Sequence, residues 1–287
     1  MFFALKMGII NSKSRISDFR FEILRRQQHR SFTLAYGEYR IAFRGSIGCP
    51  LNAIRHMLYA IRCTLSVMNE TLPLVIRFRI RGTLRFLSHA ETLRVFQRAC
   101  VRGRMSIQYS QGFNPRPRLS LPLPRPVGVE SNDELLCLKV HKSTEDGGRL
   151  CSSVAAELSA QLPDGIELIS VDVAGPGASY RPLSATYVLA LRREFLNDDL
   201  KATIERLLAS ESLDLRRQTD ARGSRFRNID VRGFLTSIEI GEKGIIVECS
   251  ISGAGSVRVD EVLSLLQLDQ SMLAAPIRRT SVRWHGA

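Results

Sequence analysis

From residue 74 the chain alternates legibly. Leu74 to Arg81 reads LVIRFRIR, with Ile76, Phe78 and Ile80 on one side and Arg77, Arg79 and Arg81 on the other. That two-residue period predicts a strand with one core face and one cationic face. Ser88 with Glu91 three residues on is a capping box, so a helix starts there. At 100° per residue Leu93, Phe96, Ala99 and Cys100 share a stripe, and Arg94, Arg98 and Arg102 share the opposite one. Gly103 ends the helix. A short strand over 105–109 follows, then a Pro/Gly loop, strands near 118–121 and 134–141, a helix over about 149–161, and a strand over 166–173. The order is β-α-β-β-α-β, closed by the linker Gly175-Pro176-Gly177.

The same order then returns. A strand over 185–191 precedes a helix carrying Leu200, Ile204, Leu207 and Leu208, which opens on Asn197, Asp198 and Asp199. FLTSIEI and IIVECSI pair across 241–244 as a hairpin. A helix over 260–268 and a strand over 277–284 complete the set. The pattern predicts an α+β fold of two tandem ferredoxin-like (split βαβ) units with antiparallel sheets, over 68–175 and 180–287. The Arg- and Asp-rich insert 213–228 reads as a mobile surface loop.

Residues 1–67 lack clean periodicity and carry 11 Lys and Arg against 3 acids. Three readings are open: a basic arm that contacts a polyanion, an organellar transit peptide, or non-native upstream coding with initiation at Met68. The expectation is a poorly ordered basic extension, and no functional residue is placed in it.

Charge sharpens the picture. The chain has a net charge of +13, yet residues 126–287 sum to −4, with 19 bases and 23 acids. Residues 74–125 hold 11 arginines, no lysine and only Glu91 against them. A focused patch of this kind points to a polyanionic partner. The apolar runs are too short or too interrupted for a membrane-spanning helix. The cysteines at 49, 63, 100, 137, 151 and 249 have no metal-ligand spacing. Cys100 and Cys137 read as buried thiols, which suits a reducing cytoplasm.

One stretch concentrates arginine, proline and glycine: YSQGFNPRPRLSLPLPRPVGVES, residues 109–131. Pro115 and Pro117 fix φ, Gly112 permits a left-handed turn, and Asn114 is placed to cap the turn. Arg116 and Arg118 then project from a stiff backbone, ready for bidentate contact with phosphate. Phe113 either stacks on a base or plugs the core. An open ferredoxin-like sheet face is a surface on which RNA-recognition modules hold bases and phosphates. The residues expected to hold nucleic acid are therefore Arg77, Arg79, Arg81, Arg85, Arg94, Gln111, Phe113, Asn114, Arg116 and Arg118.

FLSHAETLRVFQRACVRGRMSIQYSQGFNPRPRLSLPLPRPVGVES, with IDVRGFL, GSVRVDEVL and RRT further on, resembles the signature of the radical-SAM-linked protein family, a bacterial domain of unknown function. The resemblance spans about residues 74–284. It implies work beside a separate radical SAM protein, and a gene neighbourhood of RNA metabolism. Arg116 stands where histidine is common, and Gly233 and Val259 where proline is common. The chain has no CxxxCxxC for an iron–sulfur cluster, so it is not itself the radical enzyme.

Among catalytic candidates, His89 in the first helical turn beside an arginine field is placed as a general base for RNA cleavage. No P-loop or nucleophile elbow is present, and no cofactor is expected. The sequence thus predicts a cytoplasmic, non-catalytic RNA-binding accessory protein that assists tRNA or rRNA modification by a separate radical SAM enzyme. The alternatives are an adaptor docking on an acidic protein and an endoribonuclease using His89.

Overall fold

The alternation at Leu74–Ile80 sets the register of the largest sheet. In a computed structural model, the residues described are 22–23, 31–36, 39–44, 71–111, 113–141, 147–175, 177–218, 226–242 and 244–286. They belong to two units, 1–68 and 69–287. In the first, β1 (Glu22–Ile23), β2 (Ser31–Tyr36) and β3 (Tyr39–Arg44) form an antiparallel sheet in that order. The expectation of a poorly ordered extension falls mainly on residues outside those described.

In the second unit, β4 (Thr71–Ile80) leads to a 3-10 turn (Gly82–Phe86) and helix α1 (His89–Arg102). Then come β5 (Leu119–Ser120), β6 (Glu130–His141), α2 (Gly147–Ser159) and β7 (Ile166–Val173). The rest comprises β8 (Arg181–Ala190), α3 (Asp198–Ala209), β9 (Asp214–Gln218), β10 (Phe226–Asp230), β11 (Leu235–Gly241), β12 (Gly244–Ser252), β13 (Gly255–Ser256), α4 (Val259–Leu265) and β14 (Arg278–His285). This is a mixed α+β architecture around one large sheet, ordered β11-β12-β8-β14-β6-β4-β7, with β13 beside β12 and β5 beside β6. Every pairing in it is antiparallel except that of β14 with β6.

Two apolar clusters sit on this sheet. Leu74, Ile76, Phe78 and Ile80 of β4 pack with Phe96, Ala99 and Cys100 of α1 and Leu158 of α2. Phe78 meets Phe96 edge to face at 4.7 Å between centroids. Each such side chain contributes roughly 1.5–3 kcal/mol on burial. The second cluster gathers Tyr187 and Leu189 of β8, Leu200 and Ile204 of α3, Ile245 and Val247 of β12, and Val262 of α4.

Strand β6 joins the two halves because its ends have different neighbours. Glu130 and Ser131 pair with Arg278 and Arg279 of β14, whereas Cys137 and Leu138 pair with β5. Buried groups close the seam. Arg279 donates to Glu134, and both are buried. Arg278 reaches Glu130 at 3.1 Å, and Glu130 also accepts from Gly82 N–H at 3.0 Å. Val282 N–H donates to Asp133 at 2.9 Å.

The structure departs from the sequence reading in three places. The stretch 105–109 is not a strand: Ile107 and Tyr109 make single bridges to Val140 and Pro117. The last helix stops at Leu265 rather than 268. The insert 213–228 is not simply a loop, since β9 and β10 pair antiparallel from Asp214↔Asp230 to Arg217↔Arg227 and Gln218↔Phe226. Arg217 fixes that hairpin with two hydrogen bonds to Glu261, at 2.7 and 2.6 Å. Among the described residues no helix is long and apolar enough to cross a membrane.

Candidate nucleic-acid interface

Helix α1 is held by its first turn. Ser88 N–H donates to the Glu91 carboxylate (2.9 Å), and Glu91 N–H donates to Ser88 Oγ (3.3 Å). The Ser88 hydroxyl and N–H hold the Glu91 carboxyl below its ordinary pKa. Thr92, Phe96, Ala99 and Cys100 face the core, so the 3.6-residue repeat turns Arg94, Arg98 and Arg102 to solvent. Arg102 is engaged by Gln161, through its side chain (3.3 Å) and its carbonyl. Arg94 and Arg98 form no salt bridge among the described residues.

The proline-rich loop is a braced hairpin. Tyr109 bridges to Pro117, Ser110 N–H donates to the Arg116 carbonyl (2.8 Å), and Arg116 N–H donates to Ser110 Oγ (3.0 Å). Ser110, rather than Asn114, thus closes the turn. Gln108 ties the base to Lys139 of β6 at 2.8 Å. Gln111, Phe113, Asn114, Arg116 and Arg118 are all exposed. Phe113 is 101% exposed, so it plugs no core. Gly112 lies outside the described residues.

Helix and loop meet at Pro117. A cleft of about 290 Å³ lies between them, lined by Arg94, Gln97, Arg98, Val101, Arg102 and Pro117. Gln97 Nε2 donates to the Pro117 carbonyl at 3.5 Å, the outer limit of a hydrogen bond. Arg116 and Arg118 flank Pro117 in sequence, and neither forms a salt bridge among the described residues. Arg94, Arg98 and Arg102 therefore line one concave patch with no carboxylate in its lining, and the hairpin that meets it at Pro117 exposes Arg116 and Arg118.

The sheet-face arginines are placed differently, because acids from beyond residues 74–125 reach two of them. Arg77 pairs with Asp133 at 3.0 Å, Arg79 with Glu167 at 3.5 Å, and Arg81 donates to Asn132 at 3.0 Å. Arg85 donates to the Gly82 carbonyl (2.8 Å) and lies 4.3 Å over the Phe86 ring. Half-exposed ion pairs of this kind add little stability, about 0–1 kcal/mol each. They do cancel the field a phosphate would feel. Asp133 and Glu167 are remote from β4 in sequence, so a local reading could not supply them.

His89 lines a separate cavity of about 10 Å³ with Phe78, Thr92, Leu121, Leu123, Arg125 and Glu134. That is room for about one water, and its lining shares no residue with the cleft. No group of three or more His, Cys, Asp or Glu side chains among the described residues converges to hold a metal.

The sequence reading noted the Arg98 and Arg102 stripe without assigning it to the site, and missed Gln97. The signal was the i, i+4, i+8 repeat on a helix whose one acid is committed to its cap. Other signature residues are structural. Buried Arg125 donates to the carbonyls of Arg85, Leu87 and Val129. Arg232 donates to the Leu208 and Ser210 carbonyls at the end of α3, groups a helix terminus leaves unsatisfied. No curated protein matches the chain. The profile of DUF2344, described as an uncharacterized protein conserved in bacteria, matches residues 74–263, and the chain belongs to that family.

Proposed function

We propose that the protein is a non-catalytic RNA-binding accessory factor that grips RNA through the outer face of α1 and the 109–118 hairpin. The observation that carries this reading is a cleft lined by Arg94, Arg98 and Arg102 without a carboxylate, met at Pro117 by a hairpin that exposes Arg116 and Arg118. Guanidinium forks pair bidentately with phosphate oxygens. By the signature resemblance, the bound RNA is a tRNA or rRNA handed in the cytoplasm to a separate radical SAM enzyme. We also read each half of the second unit as ferredoxin-like. The orders β7-β4-β6-β5 and β14-β8-β12-β11 both run last, first, third, second, as in a split βαβ unit. An experimental structure with helices on both faces of either half would count against that assignment.

The test is binding of the full chain to total cellular RNA across a salt series, with two variants. One carries R94Q, R98Q, R116Q and R118Q; the other carries R77Q, R79Q and R81Q. For single strands the log–log slope is about −0.7 per phosphate contact, so losing four contacts flattens it by about 3 units. The first variant should flatten and the second should not. The reverse result moves the interface to the sheet. No binding, together with a protein complex that survives ribonuclease, favours the acidic-partner adaptor.

A further inference from the structure

Resting on the RNA-binding reading, we infer that the surface selects unpaired RNA and that Phe113 is the platform on which a base stacks. Phe113 is 101% exposed at the tip of a hairpin. A phenyl ring held wholly in water contributes nothing to folding by burial, since apolar side chains stabilise only when removed from water. The tip is nevertheless braced: Ser110 and Arg116 exchange two hydrogen bonds at 2.8 and 3.0 Å, and Tyr109 bridges to Pro117. Bracing lowers the entropy lost when the ring is covered.

The ring and the arginine cleft belong to one footprint. Phe113 is four residues from Pro117, which lines the cleft, so chain length keeps the two within about 14 Å. A short oligonucleotide spans that distance. Arg94, Arg98, Arg116 and Arg118 supply phosphate contacts, and the aromatic face supplies the stack; single-strand binders combine these two elements. A duplex offers phosphates to the arginines but keeps its bases stacked on one another, so the ring gains nothing from it. The occupant is therefore a single-stranded segment or loop of RNA, bound with little sequence preference because every base has a π-face.

The experiment compares the full chain, F113A and F113W with a short oligouridylate and with a blunt RNA duplex of equal length. Truncating a stacking aromatic weakens single-strand binding by about 5- to 150-fold. F113A should lose affinity for the oligouridylate in that range and keep its affinity for the duplex, whereas F113W should keep both. The F113W indole, read as a difference from the native Trp284 signal, should change its emission on adding oligouridylate alone. Equal affinity for both RNAs with F113A unchanged overturns the stacking inference and leaves the electrostatic reading standing. Binding of neither RNA by the unaltered chain overturns both.

Discussion

Arg279 is 1% exposed and donates to Glu134, which is itself buried. Burial works against the charge of Arg279, but Glu134 and Tyr187 outweigh it and raise the guanidinium's pKa above its ordinary value. Removing one partner of such a pair strands the other charge, at a cost of about 3–5 kcal/mol, whereas an apolar pair of similar volume is often neutral. E134Q should therefore lose about 3–5 kcal/mol in urea denaturation, and E134L/R279M should lose less than E134Q alone. Equal losses would show that the pair's charge is not what matters. The RRT motif was legible as a motif, but not as a buried cation. Its partner lies 145 positions earlier, and only strand order brings β6 beside β14. Arg98 is the opposite case: its helical phase alone placed it in water.

Helix α1 was legible as an element because its cap and its stripe agree. Replacing Ser88 with Ala removes an N-cap acceptor and should cost about 1 kcal/mol in chemical denaturation. The β9–β10 hairpin was not legible. Its strands are short and carry few apolar residues, and the contact fixing it, Arg217 with Glu261, spans 44 positions. That contact makes a pH prediction. Burial pushes the Glu261 carboxyl up, but the Arg217 side chain and the Arg258 N–H outweigh it and hold the pKa below the ordinary 4.5. A depressed carboxylate pKa stabilises the fold above the unfolded value, and that contribution is lost as pH falls through the folded one. Stability should therefore decline below about pH 4.5, and E261Q should decline less steeply over the same interval. Parallel acid limbs for the two proteins would remove Glu261 from the account.

Over the second unit, the tandem order of elements could be read from periodicity, whereas the seam between the halves could not. The residues that make the seam are Arg278, Arg279 and Val282 on one side and Glu130, Asp133 and Glu134 on the other. Glu130, Asp133 and Glu134 lie within the matched family profile, residues 74–263, whereas Arg278, Arg279 and Val282 lie beyond it. β14 is the last strand of the second half and the neighbour of β6 in the first. Loss of its order therefore opens the cluster of the second half, to which Val282 belongs, and unpairs the start of β6. Cooperative units follow such shared contacts, so β4 and β12 amides should exchange hydrogen at a common free energy in the unaltered protein. In E130Q/E134Q two of the three carboxylate anchors are gone and the seam should open before either core does. The most protected amides of β4 and β12 should then separate into two free energies, each below the original one. Native-state hydrogen exchange read by mass spectrometry distinguishes these outcomes. Two free energies already present in the unaltered protein would show that the halves fold independently and that the buried pair does not couple them.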